Sequence, residues 1–243
     1  MGGVGKSYLA AQLGFVVSTP PIKDPKTDSG TVINLNHQWP ILGGTVATHG
    51  KAVMITAEDH ADVIHRRLAV IDTHERRTGD LIIVPLPSAG GAMVFFVQDR
   101  ERVMATEDWR MIRAQLIAME GLRLIIIDPL AAFAQVNLDA DSAACQFVMT
   151  ELGALAAETG ATVMVCHHMR KPTTGNKVLL TPADARDAIR GSSALVDGSR
   201  LAYALWPEAK DEAEKICRDL KIPFKPNRVV KARSSRQTKL GAT

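Results

Sequence analysis

The sequence predicts an α/β domain, a mostly parallel sheet with helices on both faces, and three observations predict it. Apolar runs of strand length alternate with segments of helical period between residues 51 and 166, the interval expected of strand–helix–strand crossovers. One of those runs, Leu122 to Ile127, is too apolar to meet water on either side, as a strand inside a parallel sheet must be. A glycine-rich turn, Gly2-Gly3-Val4-Gly5, leads straight into a helical repeat, the junction on which such folds are commonly built.

Taken in order, Leu9, Leu13, Val16 and Val17 recur at helical spacing and predict a helix over residues 6–17. Residues 18–50 are rich in Pro, Asp, Thr, Gly and Asn without a period, and read as a long surface excursion with at most a short hairpin. Residues 52–56 are a buried strand, and 60–78 a helix with Val63, Ile64, Leu68 and Ile71 on one face. Residues 81–84 form a strand stopped by Pro85, 107–120 a helix, 122–127 the apolar strand, 142–159 a helix and 162–166 a further strand. A strand is expected over 201–205, an exposed charged helix over 208–220, a strand over 228–232 and a polar tail over 234–243. The division that follows is a core over residues 1–206 and a C-terminal helix, strand and basic tail over 207–243.

Composition narrows the class. With 46% hydrophobic and 23% charged residues, the chain has the balance of a soluble globular protein and the length, 243 residues, to bury a core. Cys145, Cys166 and Cys217 are far apart and form no C-x-x-C pair, which favours a reducing cytoplasm over a zinc module or a disulfide framework. The sequence has neither a long apolar run nor a basic-then-apolar leader, so no membrane span and no signal peptide is expected. The net charge of +3 is small, but Lys and Arg gather between residues 170 and 190 and again between 221 and 239, where a solvated face competes with a nucleic-acid contact as the explanation.

Gly2-Gly3-Val4-Gly5-Lys6-Ser7 matches the latter part of G-x-x-x-x-G-K-[ST]. In that motif glycines let successive backbone N–H groups turn inward around phosphates, the Lys reaches the β/γ-phosphates and the Ser hydroxyl ligates Mg2+. The motif's leading glycine, and the strand that carries it, would fall before Met1, so the expected sheet lacks its first strand. Asp128 ends Leu124-Ile125-Ile126-Ile127, the position of an acid that supports Mg2+ through water, although Asp-Pro can also merely stop a strand. Glu58 follows residues 52–56, where a carboxylate can polarise the water that attacks a γ-phosphate. Asp59 beside it reads as a helix N-cap. His167-His168 closes residues 162–166, and the lack of a third ligand at metal spacing disfavours a metal there. Arg200 is expected at a strand start, suited either to a surface ion pair or to reaching a neighbouring subunit's nucleotide.

Together, GGVGKS, TAEDH with the following ADVIHRRL, LIIIDPL, ETGATVMVCHHMRK and RGSSALVDGSR, in that order, resemble the plasmid-type hexameric replicative helicases with a RecA-like ATPase core and the wider AAA-domain ATPases grouped with them. The resemblance implies a RecA-like P-loop fold that binds ATP and Mg2+ through Gly2, Gly3, Val4, Gly5, Lys6, Ser7 and Asp128. It implies water activation by Glu58, sensing of hydrolysis by His168, with His167 in support, and an arginine finger in Arg200. It further implies a homo-oligomeric ring, expected to be a hexamer, in which Arg170, Lys171, Lys177 and Arg186 of a loop over residues 169–189 grip single-stranded DNA. Two alternatives stand beside the motor: a regulatory or loading ATPase without helicase activity, and an inactive truncated copy. The second half of that loop carries Asp184 and Asp187 and does not decide between them.

Overall fold

The helix over residues 6–17 forms as expected and sets the frame for the rest. In the computed structural model, residues 5–19, 22–23, 32–33, 42, 44–73, 75–76, 78–100, 102–168, 181–189, 193–225 and 229–234 are described. Two compact units result: Ser7–Asn137 with Phe147–His167, and Met1–Lys6 with Leu138–Gln146 and His168–Thr243. The elements in chain order are α1 (Lys6–Ser18), β1 (Ile22–Lys23), β2 (Val32–Ile33), β3 (Lys51–Thr56), α2 (Ala61–Ile71), β4 (Leu81–Pro85), β5 (Phe96–Asp99), β6 (Arg102–Ala105), α3 (Glu107–Ile117), β7 (Leu122–Asp128), α4 (Leu130–Phe133), β8 (Ala134–Gln135), α5 (Ser142–Thr159), β9 (Thr162–Val165), α6 (Pro182–Ala188), α7 (Ser193–Asp197), β10 (Tyr203–Pro207), α8 (Lys210–Asp219) and β11 (Val230–Ser234). No described helix is long and apolar enough to cross a membrane.

The larger unit is built on a four-stranded sheet in the order β4-β3-β7-β9, parallel throughout. Alternate residues of its central strands serve opposite faces. Ala52 and Met54 of β3 and Leu124 and Ile126 of β7 pack with Ala10 and Ala11 of α1 in one buried cluster. Val53, Ile55, Ile125 and Ile127, of the other parity, are buried as well, so both faces of the sheet are covered, as the apolar run of β7 required. The chain is therefore an α/β protein with a parallel RecA-like core. Within the 18–50 excursion, β1 and β2 pair antiparallel as a two-residue ladder.

A small second sheet, β6-β5-β8, lies in the same unit, and the sequence reading had no place for it. β5 and β6 form an antiparallel hairpin whose turn holds Arg100 at φ 55°, a left-handed conformation usually signalled by Gly or Asn. Phe95, Phe96, Trp109 and Phe133 fill the space beneath it, with Phe95 and Phe133 stacked at 4.6 Å between ring centroids. Thr106 accepts a hydrogen bond from the Trp109 backbone N–H at 3.3 Å, starting α3, and the Trp109 indole N–H donates to Glu151 of α5 at 2.9 Å.

Several expectations need correction. The helix expected over 60–78 ends at Ile71, because Asp72 captures the Arg76 backbone N–H at 2.7 Å and Glu75 turns to φ 52°. Asp59 does not cap that helix; His60 holds the N-cap position and Ser88 Oγ accepts the Ala61 N–H at 3.0 Å. Part of the loop expected over 169–189 is helical: Thr181 and Asp184 form a reciprocal capping box and start α6, as an S/T-x-x-acid spacing favours.

The smaller unit holds α6, α7, β10, α8 and β11. The strand expected over 201–205 forms two residues later as β10 and pairs antiparallel with β11, from Tyr203 opposite Ser234 to Pro207 opposite Val230. It does not extend the parallel sheet. α8 spans the connection with Ala213 and Cys217 buried, so it is half-embedded rather than wholly exposed. Lys231 and Glu208 pair at 2.5 Å beside the ladder. The tail residues 235–243 lie outside the described residues.

Candidate nucleotide site at the carboxyl edge of the sheet

The direction of α1 decides where a site forms. Its last turn is tied to the start of the strands: the Gly50 N–H donates to Val17 O at 3.1 Å, and Thr78 Oγ1 donates to Ser18 O at 3.3 Å, just ahead of β3 and β4. At Gly14 an added Cβ would lie 3.2 Å from Leu81 Cδ1 and 3.5 Å from Ile126 Cδ1, so the helix presses closely on the sheet. α1 thus runs antiparallel to the strands, and its N-terminus opens at their carboxyl ends. That end presents free backbone N–H groups and the positive end of the helix dipole.

Gly5 precedes the helix at φ 82°, and an added Cβ would meet nothing within 4 Å. Conformation rather than space therefore demands glycine there. Lys6 and Ser7 form the first turn of α1, both half-buried.

Three strand ends face this turn's level of the sheet. β3 stops at Thr56, followed by Ala57, the exposed Glu58 and Asp59, whose carboxylate forms an ion pair with Arg67 of α2. β7 stops at Asp128, paired in register with Thr56, and the Ala57 N–H donates to Asp128 O at 3.0 Å. β9 runs on into Cys166, whose N–H donates to Ile127 O at 2.9 Å, and then into His167 and His168.

Asp128 is buried at 1% exposure, and its Oδ2 has no hydrogen-bond partner; Thr56 is wholly buried, and its Oγ1 has none either. Buried polar atoms in native folds are nearly always paired. Two orphaned oxygens on adjacent strand ends mark a place where the fold keeps acceptors for something other than itself.

The family model of the AAA domain matches residues 1–174. The chain belongs to the AAA-domain family. An AAA domain is an ATPase module that binds nucleotide, usually with Mg2+, and the residues present fit such a ligand. Mg2+ in nucleotide sites takes oxygen ligands from one or two protein groups together with waters and phosphates, and the orphaned Asp128 Oδ2 is an oxygen acceptor of that kind.

In this AAA-domain chain the structure brings Ser7, Glu58 and Asp128 to one edge of the larger unit's sheet, with Lys6 and His168 adjoining them along the chain. Arg186 and Arg200 belong to the smaller unit: Arg186 is ion-paired with Asp197, and Arg200 is exposed ahead of β10. Gly2, Gly3, Val4, Arg170, Lys171 and Lys177 lie outside the described residues. Sequence reasoning passed over Thr56. Its signal was a polar residue at the end of the Ala52, Met54 parity, one strand away from Asp128.

Proposed function

We propose that this AAA-domain protein is an ATP-hydrolysing motor of the replicative-helicase type, coupling hydrolysis to movement along single-stranded DNA within a homo-oligomeric, hexameric ring. The observation that carries the reading is that the start of α1, Glu58 and the orphaned Asp128 lie at the same edge of the sheet. On this reading the backbone N–H groups of residues 2–5 and the Lys6 ammonium hold the phosphates, and Gly5, at φ 82°, supplies the turn into α1. Ser7 and Asp128 would hold Mg2+, directly and through water; when bound it neutralises charge on the β- and γ-phosphates.

Glu58 accepts the proton of the attacking water. Its neighbour Asp59 is committed to Arg67, which leaves the two adjacent carboxylates with separate tasks. His168, at the continuation of β9, hydrogen-bonds the γ-phosphate and transmits its loss to the segment that follows. Arg200, exposed and without an ion pair among the described residues, reaches the nucleotide of the adjacent protomer. Arg170, Lys171, Lys177 and Arg186 contact the DNA backbone.

The test is ATP hydrolysis by the full chain with and without single-stranded DNA. DNA-stimulated turnover that Lys6→Ala abolishes is expected, with DNA affinity falling steeply between low and moderate salt as counterion release is lost. Turnover indifferent to DNA would refute the motor. One observation favours a second reading, a regulatory or loading ATPase: Arg186 already has Asp197 as its counter-ion, which leaves fewer cations for a phosphate backbone. That reading expects nucleotide-dependent oligomerisation with no response to DNA.

A further inference from the structure

Thr56 is the residue of the site edge that no role above uses. Its side chain is fully buried and its Oγ1 is unpaired, although a Thr at a strand end has easy access to satisfaction by a turn N–H or by water. Its position explains why it is kept. Thr56 shares parity with Ala52 and Met54, and Asp128 shares parity with Leu124 and Ile126; all four apolar residues pack on α1. By the two-residue period of a strand, Thr56 and Asp128 therefore both lie on the α1 side of the sheet, at the end where that helix opens. Register makes them direct neighbours. Two adjacent oxygens on one face, both buried and at least one atom of each unpaired, serve neither the core nor the strand ladder.

We propose that Thr56 is a positioning residue for the nucleotide's Mg2+: its Oγ1 accepts a hydrogen bond from a metal-bound water, beside the one that Asp128 Oδ2 accepts. A water bound to a cation has one lone pair engaged and its O–H bonds polarised, so acceptors are the protein partners that suit it. A hydroxyl can accept in this way. Outer-shell groups of this kind orient a metal's ligands, and their loss typically costs about 10–100-fold in metal affinity. The assignment rests on the nucleotide reading above.

The experiment compares the full-length wild type with Thr56→Val and Thr56→Ser by titration calorimetry, using ATP with Mg2+ and ATP with EDTA, alongside thermal unfolding of the ligand-free proteins. Thr56→Val is expected to bind metal-free ATP like the wild type and to lose about 10–100-fold in affinity for Mg·ATP. Its ligand-free melting temperature should hold or rise, because an unpaired buried hydroxyl has been removed. Thr56→Ser should restore Mg·ATP binding. Wild-type Mg·ATP affinity in Thr56→Val would overturn the inference alone. So would a fall in melting temperature with parallel loss of both kinds of ATP binding, the mark of a packing role. A wild type that binds no ATP in either form would overturn the nucleotide reading itself.

Discussion

Replacing Asp128 by Asn should make the ligand-free protein more stable while removing its response to Mg·ATP. Asp128 is 1% exposed with Oδ2 unpaired, and an unsatisfied buried polar atom costs about 1–3 kcal/mol, more for a carboxylate than for an amide. Asn keeps the shape but still leaves one buried polar atom unpaired, so the expected gain is the difference between the two costs, about 1 kcal/mol, or roughly 2–4 °C in Tm at the ~2–4 °C per kcal/mol typical of a chain this long. Ligand linkage runs the other way. At a hundredfold excess over its Kd, Mg·ATP stabilises the wild type by about 2.7 kcal/mol, roughly 5–11 °C. The variant should show almost none of that increment. Differential scanning calorimetry with and without Mg·ATP reads both effects, so the two melting temperatures should change order between the free and the loaded proteins. A ligand-free Asp128→Asn that melts below the wild type would refute the reasoning, because Asp128 would then be paid for within the fold rather than held in reserve for a ligand.

Other substitutions probe the frame around the site. Gly50→Ala places a Cβ 2.5 Å from Gly121 O and 2.6 Å from Arg123 Cγ; the backbone has to move, and chemical denaturation should register a loss of about 1–3 kcal/mol. Gly5→Ala meets no atom but must hold φ 82°, so a loss of about 1–2 kcal/mol in the stability of the ligand-free protein is expected, read by chemical denaturation. Trp109→Phe removes the indole donor to Glu151 and should cost about 1.5–3 kcal/mol in urea unfolding, the range for a hydrogen bond to a charged partner.

The parallel core was legible because burial on both faces writes itself into composition: Leu124, Ile125, Ile126 and Ile127 leave no polar side for water. The start of α1 was legible for a different reason, since Gly5-Lys6-Ser7 matches the end of a motif whose residue types are set by phosphate chemistry rather than by packing. What escaped depends on tertiary context. The β5–β6 hairpin turns through Arg100, a residue type that does not announce a left-handed conformation, and its strands are stabilised by Phe133 and Trp109 from distant segments. β10 has the composition of a strand but finds its partner in β11, a choice that local sequence does not encode. The length of α2 was set by a single side chain, Asp72, capturing a backbone N–H. α6 could have been found: Thr181-Pro182-Ala183-Asp184 is a capping spacing with Pro at the first helical position. Thr56 was in view as a strand end, but that it lacks a partner is visible only once its surroundings are assembled.

The fastening of α1 by Val17 O and Ser18 O to the residues just ahead of β3 and β4 has a mechanical consequence. Held at its far end and pressed on the sheet at Gly14, the helix resists sliding along the strands and rolling. It behaves as a fixed post. Any change of conformation that a nucleotide at its tip sets off must then pass through the chain segments that leave the strand ends, while the post keeps the tip in one place.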